Sequence, residues 1–187
     1  MKTIAIIAIL ACAAPATAFG QEFRMDVRDN AFGARYGTLI DLSEEGQYEV
    51  SGNVLVGKAD RKTLGVGFHA VDNAYTVETP VYVGLGGRLL WVDSGFESGT
   101  VLAFGANGRM AVPDMERFGV SAHAYFAPSI TSFGGADSFY EIALRGEYQV
   151  LENAWIYAGY RRSDADFEGA SSIPIDSGIH LGMRFTF

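Results

Sequence analysis

Ile179-His180-Leu181-Gly182-Met183-Arg184-Phe185-Thr186-Phe187 ends the chain in an unbroken alternation. Ile179, Leu181, Met183, Phe185 and Phe187 form an apolar row, and His180, Gly182, Arg184 and Thr186 a polar or small one. Successive strand side chains point to opposite faces, so the two rows meet two different environments. Lipid on one side and a narrow lumen on the other would produce this pattern. A soluble β-sandwich or closed barrel also alternates, with its apolar row inside. Two features oppose that alternative: the polar row is rich in glycine, and the chain stops on an aromatic residue.

The pattern recurs upstream in segments of the length that crosses a bilayer as a tilted strand. Tyr140, Ile142, Leu144, Tyr148 and Val150 alternate with Glu141, Ala143, Arg145, Glu147 and Gln149. Phe118, Val120, Ala122 and Ala124 alternate with Arg117, Gly119, Ser121 and His123. Further segments start near 102, 81 and 64, and earlier ones cover 47–57, 34–42 and 22–28; 154–163 is less clean. The expectation is an all-β, antiparallel up-and-down transmembrane barrel of about ten strands, with eight as the alternative. Bacterial barrels have short inner turns and longer outer loops. Counted back from an inner C-terminus, 164–175, 127–137 and 93–98 are outer connections. The stretches 151–153 and 113–116 are inner; 71–78 is long for an inner connection.

Residues 1–18 read as a cleaved signal peptide: Lys2, the apolar run Ile4 to Ala14, and the small-residue site Ala16-Thr17-Ala18. The run is shorter than the roughly 20 apolar residues of a membrane-spanning helix. Residues 19–187 are then one barrel domain. Cys12, the only cysteine, leaves with the signal; Ile9 to Cys12 matches a lipoprotein acceptor site poorly. The mature chain therefore has no thiol for a disulfide or a metal. The formal charge of −8 excludes the basic footprint of a nucleic-acid binder.

Several stretches resemble the YfaZ-like family of small outer-membrane proteins. They are Ala124 to Ser129, Phe139-Tyr140-Glu141, Arg145 to Tyr148, Ala158 to Arg162 and Gly178 to Phe187. Val83 to Gly87 and Ser51 to Asn53 fit more loosely. The resemblance implies residence in the outer membrane of a Gram-negative cell and carries over no functional residues. The final strand also resembles the signal read by the barrel-assembly machinery, with Leu181, Met183, Phe185 and Phe187 as its apolar row. That machinery works by strand pairing at an open edge.

The inward row holds Arg24, Arg28, Arg35, Arg88, Arg109, Arg117, Arg145, Arg161 and Arg184, with Glu22, Asp26, Asp41, Glu49, Glu141 and Glu147. A barrel this narrow has room for side chains and little else. Its charges must pair or stay wet. The expected lumen network comprises Arg88, Arg109, Glu141, Arg145, Glu147 and Arg184. His69, His123 and His180 share the inward row, and Ser121 lies two residues from His123, the spacing of an acyl-transfer pair. Lipid-modifying barrels act at the lipid-facing rim, whereas these residues point inward. Asp164-Ala165-Asp166-Phe167-Glu168 reads as an acidic outer loop, short of a full calcium loop. Tyr36, Tyr48, Trp91, Phe126, Tyr140, Tyr148 and Tyr160 are the candidates for aromatic girdles.

The pattern therefore predicts a monomeric outer-membrane barrel without cofactor or catalytic site. It would contact membrane lipid and lipopolysaccharide, with a filled lumen and a structural or surface role. A narrow anion-preferring pore is the alternative, and a lipid-modifying enzyme a distant one. Deleting Phe187 should leave the precursor exported but uninserted, giving periplasmic accumulation and proteolysis on fractionation. Normal insertion of that variant would make the terminal aromatic incidental.

Overall fold

The computed structural model describes residues 19–43, 46–76, 79–167 and 170–187. The expected signal peptide, residues 1–18, lies outside the described residues. Among the described residues eleven strands follow one another: β1(Phe19–Arg28), β2(Ala31–Ser43), β3(Gly46–Val56), β4(Lys62–Thr76), β5(Thr79–Asp93) and β6(Ser98–Val112). Then come β7(Met115–Ala127), β8(Ser132–Gly134), β9(Ala136–Leu151), β10(Ala154–Phe167) and β11(Ala170–Thr186). Ten of them make a closed antiparallel barrel in which each pairs with the next. The three-residue β8 stands outside this series, against β6 at Gly99 to Val101.

The barrel closes where β1 meets β11, from Glu22 opposite Thr186 to Val27 opposite Leu181. Phe187 extends this seam: its N–H donates to the Gln21 carbonyl at 2.9 Å, and the Gln21 N–H donates back at 3.3 Å. No strand edge is left open at the seam, as hydrocarbon requires. Strands 22–28 and 34–42, the weakest in pattern, are full members, so the count is ten and not eight.

Connections alternate in length only in part, since β1 and β2 are joined by just two residues, 29–30, at the end expected to be outer. β6 and β7, and β9 and β10, are joined by two residues each at the end of the barrel that carries the C-terminus, the end expected to be inner. In the first of these turns Asp114 adopts φ 63°, which Asp tolerates better than most residues. The outer connections at 94–97 and 128–135 are longer. Two expectations need correction. The stretch 71–78 is not a long inner connection: β4 runs to Thr76 and β5 starts at Thr79. The stretch 164–175 is not a long outer loop: Asp164 faces Pro174, Ala165 faces Ile173 and Phe167 faces Ala170. Both strand ends continue past the apolar band, where side chains no longer need to alternate. Asp164 is buried beside Arg162 at 2.7 Å, and Asp166 accepts from Ser138 at 2.5 Å. The acidic segment is thus ladder, apart from Glu168, which lies outside the described residues.

The barrel is apolar outside and polar within. Val66, Phe68, Leu85, Leu89, Leu144 and Leu181 are exposed on the outer wall. His69, Arg88, Arg145, Glu147, Arg161, His180 and Arg184 are buried inside. Glycines on the inner row make room for their large neighbours. A Cβ on Gly182 would lie 2.4 Å from the Tyr157 ring, which covers that position. Tyr48, Phe118 and Tyr148 lie near the inner turns, with Phe118 and Tyr148 in ring contact at 4.9 Å. Trp91, Phe126 and Tyr140 lie near the outer ends of their strands, whereas Tyr36 and Tyr160 sit mid-strand.

Leu144 and Ala143 separate the two walls by one residue: Leu144 is 59% exposed and Ala143 6%. Leu144→Arg should block insertion, since a cation near the midplane costs about 2–4 kcal/mol, while Leu144→Phe should insert normally. Ala143→Phe should insert but melt earlier, because overpacking costs about 1–3 kcal/mol. Gel mobility with and without heating reads both effects. Equal tolerance of Arg at 144 and of Phe at 143 would reverse the facing of β9.

Candidate functional site: the barrel lumen

The lumen is built in two layers. The outer layer is apolar. Leu90, Val92, Val101, Ala103, Phe139, Phe167 and Ile175 form one buried cluster with Leu55, Tyr125, Ala127, Ala136 and Ala165. These residues come from the outer halves of β3, β5, β6, β7, β9, β10 and β11. The alternation predicts an inward row of polar and small residues, with no apolar layer across it. A signal was present in the run Leu89-Leu90-Trp91-Val92, which is apolar on both faces. Such a run fits a strand with apolar side chains packed on both of its faces.

Below this layer the walls are charged. Arg88 of β5 reaches Glu141 of β9 at 2.9 Å, and His123 Nε2 lies 2.9 Å from the same carboxylate. Arg109 of β6 meets Glu22 of β1 across the lumen at 2.7 Å, and Arg24 joins Glu22 at 2.7 Å. Arg184 holds Glu147 at 2.9 Å, and the Ser121 hydroxyl donates to Glu147 at 2.6 Å. Arg161 bridges Asp26 at 3.0 Å and Asp176 at 2.8 Å, and Arg28 also pairs with Asp176. Arg35 pairs with Glu49, which accepts from Tyr82 at 2.8 Å. The Tyr125 hydroxyl and His69 Nε2 are hydrogen-bonded at 2.8 Å. Arg88 also stacks on the Tyr125 ring, 3.7 Å from its centre.

Arg145 differs from the other expected network residues. Glu141 and Glu147 belong to Arg88 and Arg184, not to it. Its Nε donates to His180 at 3.2 Å, and Nη1 lies 3.4 Å from His123 Nδ1. Among the described residues no carboxylate pairs with it. Arg117 and Asp41, also assigned to the inward row, are exposed towards the inner end. Ser121 and His123 do not form an acyl-transfer pair: the serine serves Glu147, and the histidine lies between Glu141 and Arg145.

A cavity of about 240 Å³ remains between these walls. Arg24, Arg35, Arg88, Arg109, Arg145 and Arg161 line it, against Glu22, Asp26, Glu49 and Glu141. Tyr82, Arg109 and Thr186 are shared with a second space, about 390 Å³, at the inner mouth. Among the described residues no cluster of three histidine, cysteine or acidic side chains has the geometry of a metal site.

The chain belongs to the YfaZ precursor family, whose model matches residues 1–187. No curated protein matches it. Among solved structures it is similar to a KdgM porin in complex with disordered oligogalacturonate. That likeness has 13% identity and a TM-score of 0.47, over 90% of this chain and 99% of that one. A bacterial polysaccharide outer membrane secretin is similar at 9% identity and a TM-score of 0.41, over 84% of this chain and 56% of the other.

The Arg88–Glu141 bridge gives a direct test of the charged layer. Glu141→Gln should lower the melting temperature markedly, because stranding one member of a buried pair costs about 3–5 kcal/mol. Arg88→Met combined with Glu141→Gln should recover much of the loss. A double variant no better than Glu141→Gln alone would show that the pair is not the source of the stability.

Proposed function

We propose that this member of the YfaZ precursor family resides in the outer membrane of a Gram-negative cell as a closed structural barrel. One observation carries the reading: the apolar layer across the outer end of the lumen, with Val92, Val101 and Ala103 fully buried and Phe139 and Phe167 nearly so. A dry plug of this kind obstructs ions, which would lose hydration without gaining partners. The outer wall fits lipid, with lipopolysaccharide as its outer-leaflet neighbour and the barrel-assembly machinery as its partner during biogenesis. A monomer suffices, because the barrel closes on itself. The outer loops are then the surface available to other molecules. An enzymatic role gains no support from the lumen: the Ser121 hydroxyl donates to Glu147, but Arg184 already holds that carboxylate as an ion pair.

A narrow anion pore is favoured by a different observation, the six arginines around the cavity. The two readings diverge in planar bilayers. Wild-type protein should show no single-channel steps. Phe139→Ala with Phe167→Ala removes both phenylalanines of the plug and should produce steps that favour chloride over potassium. Steps from the wild type would replace the closed barrel with the pore.

A further inference from the structure

Arg145 is a buried cation without a counter-charge. It is 5% exposed, and its polar partners among the described residues are two imidazoles, His180 and His123. The Tyr157 ring stands 5.6 Å away. Glu141 is linked to it only through His123 and is already held by Arg88. Arg24 and Arg161 add positive potential at Arg145, while Asp26, which opposes them, is bound by Arg161. A charge buried without a partner is expensive and is not expected where the only demand is stability. Arg145 also lines the 240 Å³ cavity, so an incoming group has room beside it.

We propose that this cavity is a binding site for a small oxyanion, with Arg145 as its principal ligand. The guanidinium fork matches phosphate and carboxylate oxygens, and the two histidines hold it in place by accepting its N–H groups. Arg24 and Arg35 line the same cavity, and each has a buried Nε without a partner. Entry is from the inner mouth, past Arg109, since the apolar layer closes the outer end. That direction rests on the closed-barrel reading; the site itself does not.

Inorganic phosphate is the probe, added to the folded full-length barrel in detergent at constant ionic strength, with thermal unfolding as readout. The melting temperature should rise along a saturable curve, by about 3–6 °C at ten times the half-saturating concentration. Arg145→Met should abolish that rise and, without phosphate, should melt above the wild type, because the stranded charge is gone. Arg145→Lys keeps the charge but loses the fork, and should need about 10-fold more phosphate. It also serves if the Met variant does not fold. Arg162→Gln, on an exposed arginine outside the lumen, should respond as the wild type does.

Three results would overturn the site: no saturable rise in the wild type, an equal rise in the Arg145 variants, or a lower melting temperature for phosphate-free Arg145→Met. The last would make Arg145 a purely structural residue. Channel conductance is scored separately. Conductance with a saturable rise would remove the seal and keep the site, whereas no conductance and no rise would do the reverse.

Discussion

In hydrocarbon, a backbone N–H or C=O without a partner costs several kcal/mol, so a sheet can cross a bilayer only if its two edges meet. Here the edges are β1 and β11, and their ladder runs from Val27 opposite Leu181 down to the Phe187–Gln21 pair. Everything else in the molecule is conditional on that seam. Closing ten strands fixes a narrow interior. A narrow interior forces the side chains of opposite walls into contact. Arg109 and Glu22, on β6 and β1, meet across that space, as do Arg88 and Glu141 on β5 and β9. Such bridges tie non-adjacent strands together and hold the cross-section of the barrel, which ladder hydrogen bonds alone do not set.

The facing of the strands was legible because lipid and lumen select oppositely at every position within the bilayer. Leu144 and Arg145, or Leu181 and Gly182, declare their walls without any knowledge of the fold. The reading failed where that selection stops. Asp72 and Asn73 on β4, and Asp164 and Asp166 on β10, belong to strands but lie beyond the apolar band. They looked like loop because nothing there demands alternation. The apolar layer was missed for a related reason: Leu90, Val92 and Phe139 occupy the inward row, where the alternation predicts only polar or small residues. The partners of the charges were out of reach altogether. Glu141 and Arg145 share a face of one strand, yet the carboxylate turns to β5 and the guanidinium to histidines on β11 and β7. Sequence spacing reports which wall a residue belongs to, and only the closed barrel reports what stands opposite.

The formal charge of −8 conceals a segregation. Asp29, Asp60, Glu97, Asp114, Asp137 and Glu152 are exposed at the turns and strand ends, while arginines crowd the lumen. Lysine occurs at only three positions, 2, 58 and 62, and neither Lys58 nor Lys62 lines the two lumen spaces. The guanidinium is the weaker-hydrated cation and offers five donors in a fixed plane, so it can serve two acids at once, as Arg161 does for Asp26 and Asp176. Lysine carries its donors on one compact, more strongly hydrated nitrogen and has no planar fork to share between two acids. The same chemistry explains how an arginine excess is tolerated. The charged layer keeps contact with water through the inner mouth, where Arg109 remains 29% exposed, and the dry layer is confined to the other end. Were the two layers mixed, each unpaired cation would face hydrocarbon side chains in place of water or an anion. Separating them lets one narrow lumen hold both an apolar layer and a patch of positive potential.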